Sequence, residues 1–182
     1  MTNIVTLIGD LLIRFIICNK FDMKNKDISF VYNSFGKPYL LKPKGLFLNV
    51  SHSGKWVVCI THNQEVGVDI EKIRPVDIQI FERLFTVEEV RAINNKKKTE
   101  RLYEYYQLWT KKEGFVKMIG RGLAIPLNSN CSKCKGVFSV RQTYINSLVF
   151  FKHYTFESDY VITACARDDS FPDKLEIVEF SS

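Results

Sequence analysis

The sequence predicts an α+β fold of two packed lobes that meet near residues 70–110, and three observations carry that reading. Apolar residues recur at helical spacing near the start, and short runs with strand character follow, bounded by turn residues. A capped helical region then separates those strands from a second block of strands. Elements grouped in this way point to α+β rather than to a strictly alternating parallel sheet.

Taken in order, Ile4 to Cys18 carries Leu7, Leu11, Leu12, Phe15 and Ile16 at the spacing of an amphipathic helix. Residues 28–32 alternate as a short strand, and Asn33 to Pro38 reads as a turn. Leu46 to Val50 and Lys55 to Thr61 predict two strands about Ser51-His52-Ser53-Gly54, and Val66 to Glu71 predicts another. Val57 to Ile60 is apolar throughout, the pattern of a strand buried on both faces. Pro75 and Asp77 open a mostly helical region. Thr86-Val87-Glu88-Glu89 has capping-box spacing, so a helix starts there and runs to about Asn94. A longer helix spans about Glu100 to Ile119, with Leu102, Tyr105, Tyr106, Trp109, Val116 and Ile119 on its apolar side and Gly120 and Gly122 at its end. Gly136–Gln142, Ser147–Thr155 and Tyr160–Ala166 read as strands.

At 182 residues the chain can bury a core without disulfide or metal staples. Apolar residues at 46% and charged residues at 25% are an ordinary soluble balance. The apolar stretch Leu11–Ile17 is broken by Arg14 and falls far short of the roughly 20 residues of a membrane span. Asp10 before it and the lack of a small-residue cleavage site argue against a signal peptide, so the expected location is cytoplasmic, with no membrane partner. Cys18, Cys59, Cys131, Cys134 and Cys165 are an odd count and read as free thiols; Cys131-x-x-Cys134 lacks a second ligand pair and reads as a turn. A net charge of +6 implies an anionic partner without choosing among nucleic acid, acidic protein and phosphorylated cofactor.

Three segments carry residue types suited to one task. Asp69-Ile70-Glu71 ends an apolar strand, and alternate strand residues share a face, so both carboxylates project together as hard oxygen ligands of the kind Mg²⁺ prefers. A solvated strand end is the plain alternative. Trp109 to Lys117 places Glu113 and Lys117 at i and i+4, which by itself describes a helix-stabilising ion pair but here lies close to apolar neighbours. Asn49-Val50-Ser51-His52-Ser53-Gly54 offers small side chains and backbone amides as a phosphate cradle, or simply a turn.

Together with Gly36-Lys37-Pro38, these segments stand in the order and rough spacing of the Sfp-type 4'-phosphopantetheinyl transferases. The sequence resembles that family over about residues 6–140, including Gly120-Arg121-Gly122-Leu123 and Pro126-Leu127. The resemblance implies two pseudo-symmetric α/β lobes, divided here as 1–72 and 73–182. It implies transfer of 4'-phosphopantetheine from coenzyme A to a serine of an acyl, peptidyl or aryl carrier protein, releasing 3',5'-ADP. Asp69, Glu71 and Glu113 would bind Mg²⁺; Glu113 would act as general base and Lys117 would neutralise phosphate charge. Ser51 and His52 would contact coenzyme A phosphates, Lys37 and Pro38 would lie along the adenine, and Lys112 near the nucleotide. The segment with Ile78, Phe81, Leu84, Phe85 and Thr86 would meet the carrier. A silent relative that binds coenzyme A or a carrier without transfer is the alternative, and a nucleic-acid partner is disfavoured because no aromatic-basic module is present.

The family pattern begins earlier, with basic residues for the 3'-phosphate, and Val5 stands where arginine is common. The first lobe is therefore expected to be N-terminally shortened. A shorter gene product, a completing subunit and weaker coenzyme A binding all remain open. An exposed sheet edge there would favour homo-oligomerisation.

Overall fold

The computed structural model describes residues 4–77, 83–122, 137–139 and 148–180. Helix α1 (Ile4–Phe21) precedes two hairpins, β1 (Ser29–Tyr32) with β2 (Pro38–Lys42) and β3 (Phe47–Ser53) with β4 (Trp56–His62). Strand β5 (Val66–Lys72) leads to α2 (Val87–Asn94) and α3 (Lys98–Ile119), followed by β6 (Val137–Ser139), β7 (Leu148–Tyr154) and β8 (Tyr160–Ala166). The last three strands join β5 in one antiparallel sheet of order β5-β8-β7-β6. The fold is thus mixed helix and sheet. Because β5 pairs with β8 along its whole length, a boundary after residue 72 would leave a strand apart from its own sheet.

Alternation along β5 explains the layers. Val68 and Ile70 turn to one face, where they pack with Ile162, Ala164, Tyr160 and Tyr154 against Trp56, Val58 and Ile60 of β4. Gly67, Asp69 and Glu71 turn to the other face, which α3 covers. Phe115, Val116 and Met118 of the helix pack there with Val149 and Cys165. The approach of helix to strand is unusually close. A Cβ built on Gly67 would lie 2.0 Å from the Gly114 carbonyl oxygen, so only glycine fits this point of β5. Thr110 and Thr163 join the same two elements at their centre, their hydroxyls 2.6 Å apart and fully buried.

The two helices are defined by local chemistry. Thr86 accepts from the Glu89 amide and Glu89 returns a bond to the Thr86 amide, a complete capping box at the start of α2. Gly120 ends α3 in the left-handed conformation, with φ of 70°. The C-terminal carbonyls of α3 are then claimed by the β1–β2 turn. Asn33 Nδ2 donates to Gly120 O at 2.7 Å, and Lys37 Nζ to Lys117 O and Met118 O at 2.7 Å each.

Several elements differ from the sequence reading. Strand β2 was not anticipated, because Gly36-Lys37-Pro38 reads as a turn. Strand β3 continues through Ser51, His52 and Ser53, so those residues are strand rather than loop. Residues Val57 to Ile60 are half-buried: among the described residues β4 pairs only with β3, and it borders a cavity. On α1 the buried face is Gly9, Ile13 and Ile17, whereas Leu7, Leu11 and Phe15 are exposed. Apolar residues surround much of that helix, so periodicity selected the wrong stripe. Phe85 is core and Leu84 packs against it; Ile78, Phe81, Cys131, Cys134, Pro126 and Leu127 lie outside the described residues.

The Gly67 contact yields a paired test. Gly67→Ala should lose stability at the upper end of about 1–3 kcal/mol, because backbone must move to admit the methyl group. Gly114→Ala, whose Cβ would meet nothing closer than 3.5 Å, should unfold much closer to wild type in denaturant. Equal losses would contradict the packing described.

Candidate active site

Where α3 crosses the end of β5, a cleft of about 320 Å³ opens. It is lined by Asp69 and Glu71 of β5, by Trp109, Glu113 and Lys117 of α3, and by Val50, Ser51 and His52 of β3. The helix contributes residues four apart, which share a face; β5 contributes two at alternate positions, which also share a face, and β3 contributes three consecutive residues. The close helix–strand contact at Gly67 and Gly114 is what brings these two faces over one another.

Charge in the cleft is tightly organised. Lys117 Nζ lies 2.5 Å from Asp69 Oδ1 and donates to Ser51 Oγ at 2.7 Å. Ser51 in turn donates to Asp69 Oδ1 at 2.8 Å. Glu71 receives Ser53 Oγ at 2.9 Å and Trp109 Nε1 at 3.4 Å. His52 stands exposed at the rim. Burial pushes the Asp69 carboxyl up to about 6, against the lowering effect of Lys117 and Ser51. Burial also raises Glu113, opposed by Lys117 and reinforced by the negative charge of Glu71.

The three carboxylates share this cleft without closing on one point. Among the described residues no three carboxylate, imidazole or thiol groups are gathered as a ligand set. Lys117 contacts one oxygen of Asp69, and Ser53 and Trp109 contact Glu71. The donor chemistry nonetheless suits a hard cation, because Asp69 Oδ2 is buried with no hydrogen-bond partner among the described residues. An acceptor left in that state is costly unless a cation or donor reaches it.

Lys37, Pro38 and Lys112 do not line the cleft. The Lys37 ammonium is buried beneath the end of α3, where it donates to three carbonyls, those of Lys117, Met118 and Val66. Burial lowers its pKa to about 8. Lys112 is likewise buried, paired with Glu89 at 2.8 Å and lying over the Phe85 ring. Both lysines thus stand away from the cleft, each ammonium engaged at a helix: Lys37 at the end of α3 and Lys112 with Glu89 of α2. Trp109 and Ser53 lay within the segments singled out in the sequence but were given no role of their own there. The signal for Trp109 was its spacing of four from Glu113, and for Ser53 its spacing of two from Ser51.

A second, larger cavity of about 1030 Å³ lies between α1, β4 and the C-terminal segment, lined mainly by apolar residues such as Leu12, Phe15, Ile60 and Val178. Its size exceeds that of the acidic cleft, but it offers no comparable set of convergent charged groups.

The cleft gathers three carboxylates with a lysine, a serine and a histidine from two strands and a helix. Residues 65–165 match the family model of the 4'-phosphopantetheinyl transferase superfamily, and residues 4–64 match that of the 4'-phosphopantetheinyl transferase N-terminal region. The junction of the two matches falls just before β5, in keeping with the sheet topology. The chain is 33% identical over 177 residues to 4'-phosphopantetheinyl transferase Sfp of Bacillus subtilis (strain 168), covering 96% of this chain and 79% of that protein. It is 33% identical over 179 residues to 4'-phosphopantetheinyl transferase ffp of Bacillus subtilis, covering 97% and 80%. With 4'-phosphopantetheinyl transferase gsp of Aneurinibacillus migulanus it shares 39% identity over 124 residues, covering 68% and 52%. The chain belongs to the 4'-phosphopantetheinyl transferase superfamily.

The buried aspartate gives a pH signature. A carboxyl raised from 3.8 to about 6 by folding holds its proton longer in the folded state. Stability is then fully present below the unfolded pKa and declines as pH rises through the folded one, by about 3 kcal/mol for this group. Denaturant unfolding in a chelator should show that decline between about pH 4 and 6 in the wild type, and a flatter profile in Asp69→Asn. Identical slopes would contradict the assignment.

Proposed function

We propose that this chain transfers the 4'-phosphopantetheine group of coenzyme A to a serine hydroxyl of an acyl, peptidyl or aryl carrier protein, releasing 3',5'-ADP. The observation that carries the proposal is the meeting of Asp69, Glu71, Glu113 and Lys117 with Ser51 and His52 in one cleft, in a chain of this family. Phosphoryl transfer asks for charge neutralisation and positioning more than for covalent participation. Asp69, Glu71 and Glu113 would hold Mg²⁺, which would supply that neutralisation at the diphosphate.

The chain's own residues then divide the work. Glu113, half-buried on the α3 side of the cleft, is the proton acceptor for the carrier serine. As the serine oxygen bonds to phosphorus, its proton passes to Glu113, and the bond to the leaving 3',5'-ADP breaks. Lys117, half-buried beside Asp69, brings positive charge to the phosphate oxygens. His52, exposed at the rim, is placed to meet a phosphate entering from solvent. The matches to residues 4–64 and 65–165 support reading the chain as the two pseudo-symmetric lobes of this fold. The net charge of +6 favours encounter with coenzyme A and an acidic carrier. No helix among the described residues is long and apolar enough to cross a membrane, and we place the reaction in the cytoplasm.

Incubation with coenzyme A, Mg²⁺ and an apo carrier protein should add the phosphopantetheine mass to the carrier, read by intact-protein mass spectrometry. Glu113→Gln should reduce the rate by about 10²–10⁴-fold while leaving the thermal transition of the fold in place. A wild-type protein that binds coenzyme A yet leaves the carrier mass unchanged is a silent relative, and the enzyme reading fails.

A further inference from the structure

Strand β3 runs beside the outer edge of β5 without a backbone ladder between them; among the described residues β3 pairs with β4 and β5 with β8. The edge amides of β5 are satisfied all the same. Val68 N–H donates to Asn49 Oδ1 at 2.8 Å, Ile70 N–H to Ser51 Oγ at 3.4 Å and Lys72 N–H to Ser53 Oγ at 3.0 Å. Donors and acceptors both advance by two residues, the period at which strand residues share a face. Side chains from one face of β3 thus stand in for the carbonyls of a neighbouring strand.

Each serine in this series makes a further contact. Ser51 donates its hydroxyl proton to Asp69 Oδ1, and Ser53 donates its own to Glu71 Oε2. A serine has one proton to give. Both are given to the carboxylate immediately preceding the amide that the same serine caps. Asn49 caps the Val68 amide, which follows Gly67 and so has no carboxylate before it.

We propose that Ser53 is a positioning residue, which fixes the Glu71 carboxylate in the cleft by holding it and the Lys72 amide at once, as Ser51 does for Asp69. The consequence for the reaction rests on the proposed function; the contact itself does not. Outer groups of this kind orient the oxygen ligands of a cation, and their loss lowers metal affinity or activity by about 10–100-fold.

Two measurements test it. In the ligand-free protein with chelator, unfolding midpoints of Ser53→Ala, Glu71→Ala and the double variant should be non-additive, with Ser53→Ala costing less once Glu71 is gone. In the transfer assay, Ser53→Ala should raise the Mg²⁺ concentration for half-maximal rate by about tenfold, and Ser53→Thr, which keeps the hydroxyl, should restore most of it. Strictly additive midpoints, or an unchanged Mg²⁺ requirement in an active Ser53→Ala protein, would overturn the proposal. Should the wild type transfer nothing, the proposed function fails, and the unfolding cycle still decides whether Ser53 holds Glu71.

Discussion

The site depends on one packing constraint, the contact of α3 with β5 at Gly67 and Gly114. No side chain separates the two backbones there, and a methyl group on Gly67 would meet a carbonyl oxygen at 2.0 Å. Such proximity lets a helix face with residues spaced by four overlie a strand face with residues spaced by two. Glu113 and Lys117 come down from one side, Asp69 and Glu71 rise from the other. The far end of the helix is pinned by Asn33 and Lys37 from the β1–β2 turn, and its middle by Thr110 against Thr163. Buried Lys112, bound to Glu89, ties the preceding short helix to the same scaffold. Pairs of this sort are costly to break, because removing one partner strands the other charge away from water.

The cleft holds its acidic groups against the preference of the fold. Asp69 is almost wholly buried, and its carboxyl is pushed up to about 6 even with an ammonium at 2.5 Å. One of its oxygens has no partner among the described residues. A core selected for stability alone would replace such a group with an apolar or fully bonded one. Retained carboxylates under this strain are characteristic of functional sites, where local rules are broken for chemistry. The same logic gives the serines of β3 their place: they anchor two strands and restrain two carboxylates with a single hydroxyl each.

Much of this was legible in the sequence. The capping box at Thr86 and Glu89, the glycine end of α3 and the strand run Val66–Glu71 follow from local rules. So does the shared face of Asp69 and Glu71, which needs only the strand period. Other features were hidden because they depend on distant partners. The turn-forming Gly36-Lys37-Pro38 concealed both β2 and the reach of Lys37 to carbonyls some eighty residues away in sequence. Ser51-His52-Ser53 read as a turn, since serine has weak strand preference; the ladder to β4, from Ser51 opposite Val58 to Ser53 opposite Trp56, holds it extended. On α1, apolar residues on more than one side left the buried stripe undecided until Gly9 met Val50.

The most direct measurement is a structure of the complex with coenzyme A and Mg²⁺. The account predicts the diphosphate in the cleft beside Lys117 and His52, with the cation drawing Asp69, Glu71 and Glu113 to one point. A diphosphate seated instead in the larger apolar cavity between α1 and the C-terminal segment, with the three carboxylates left apart, would contradict it.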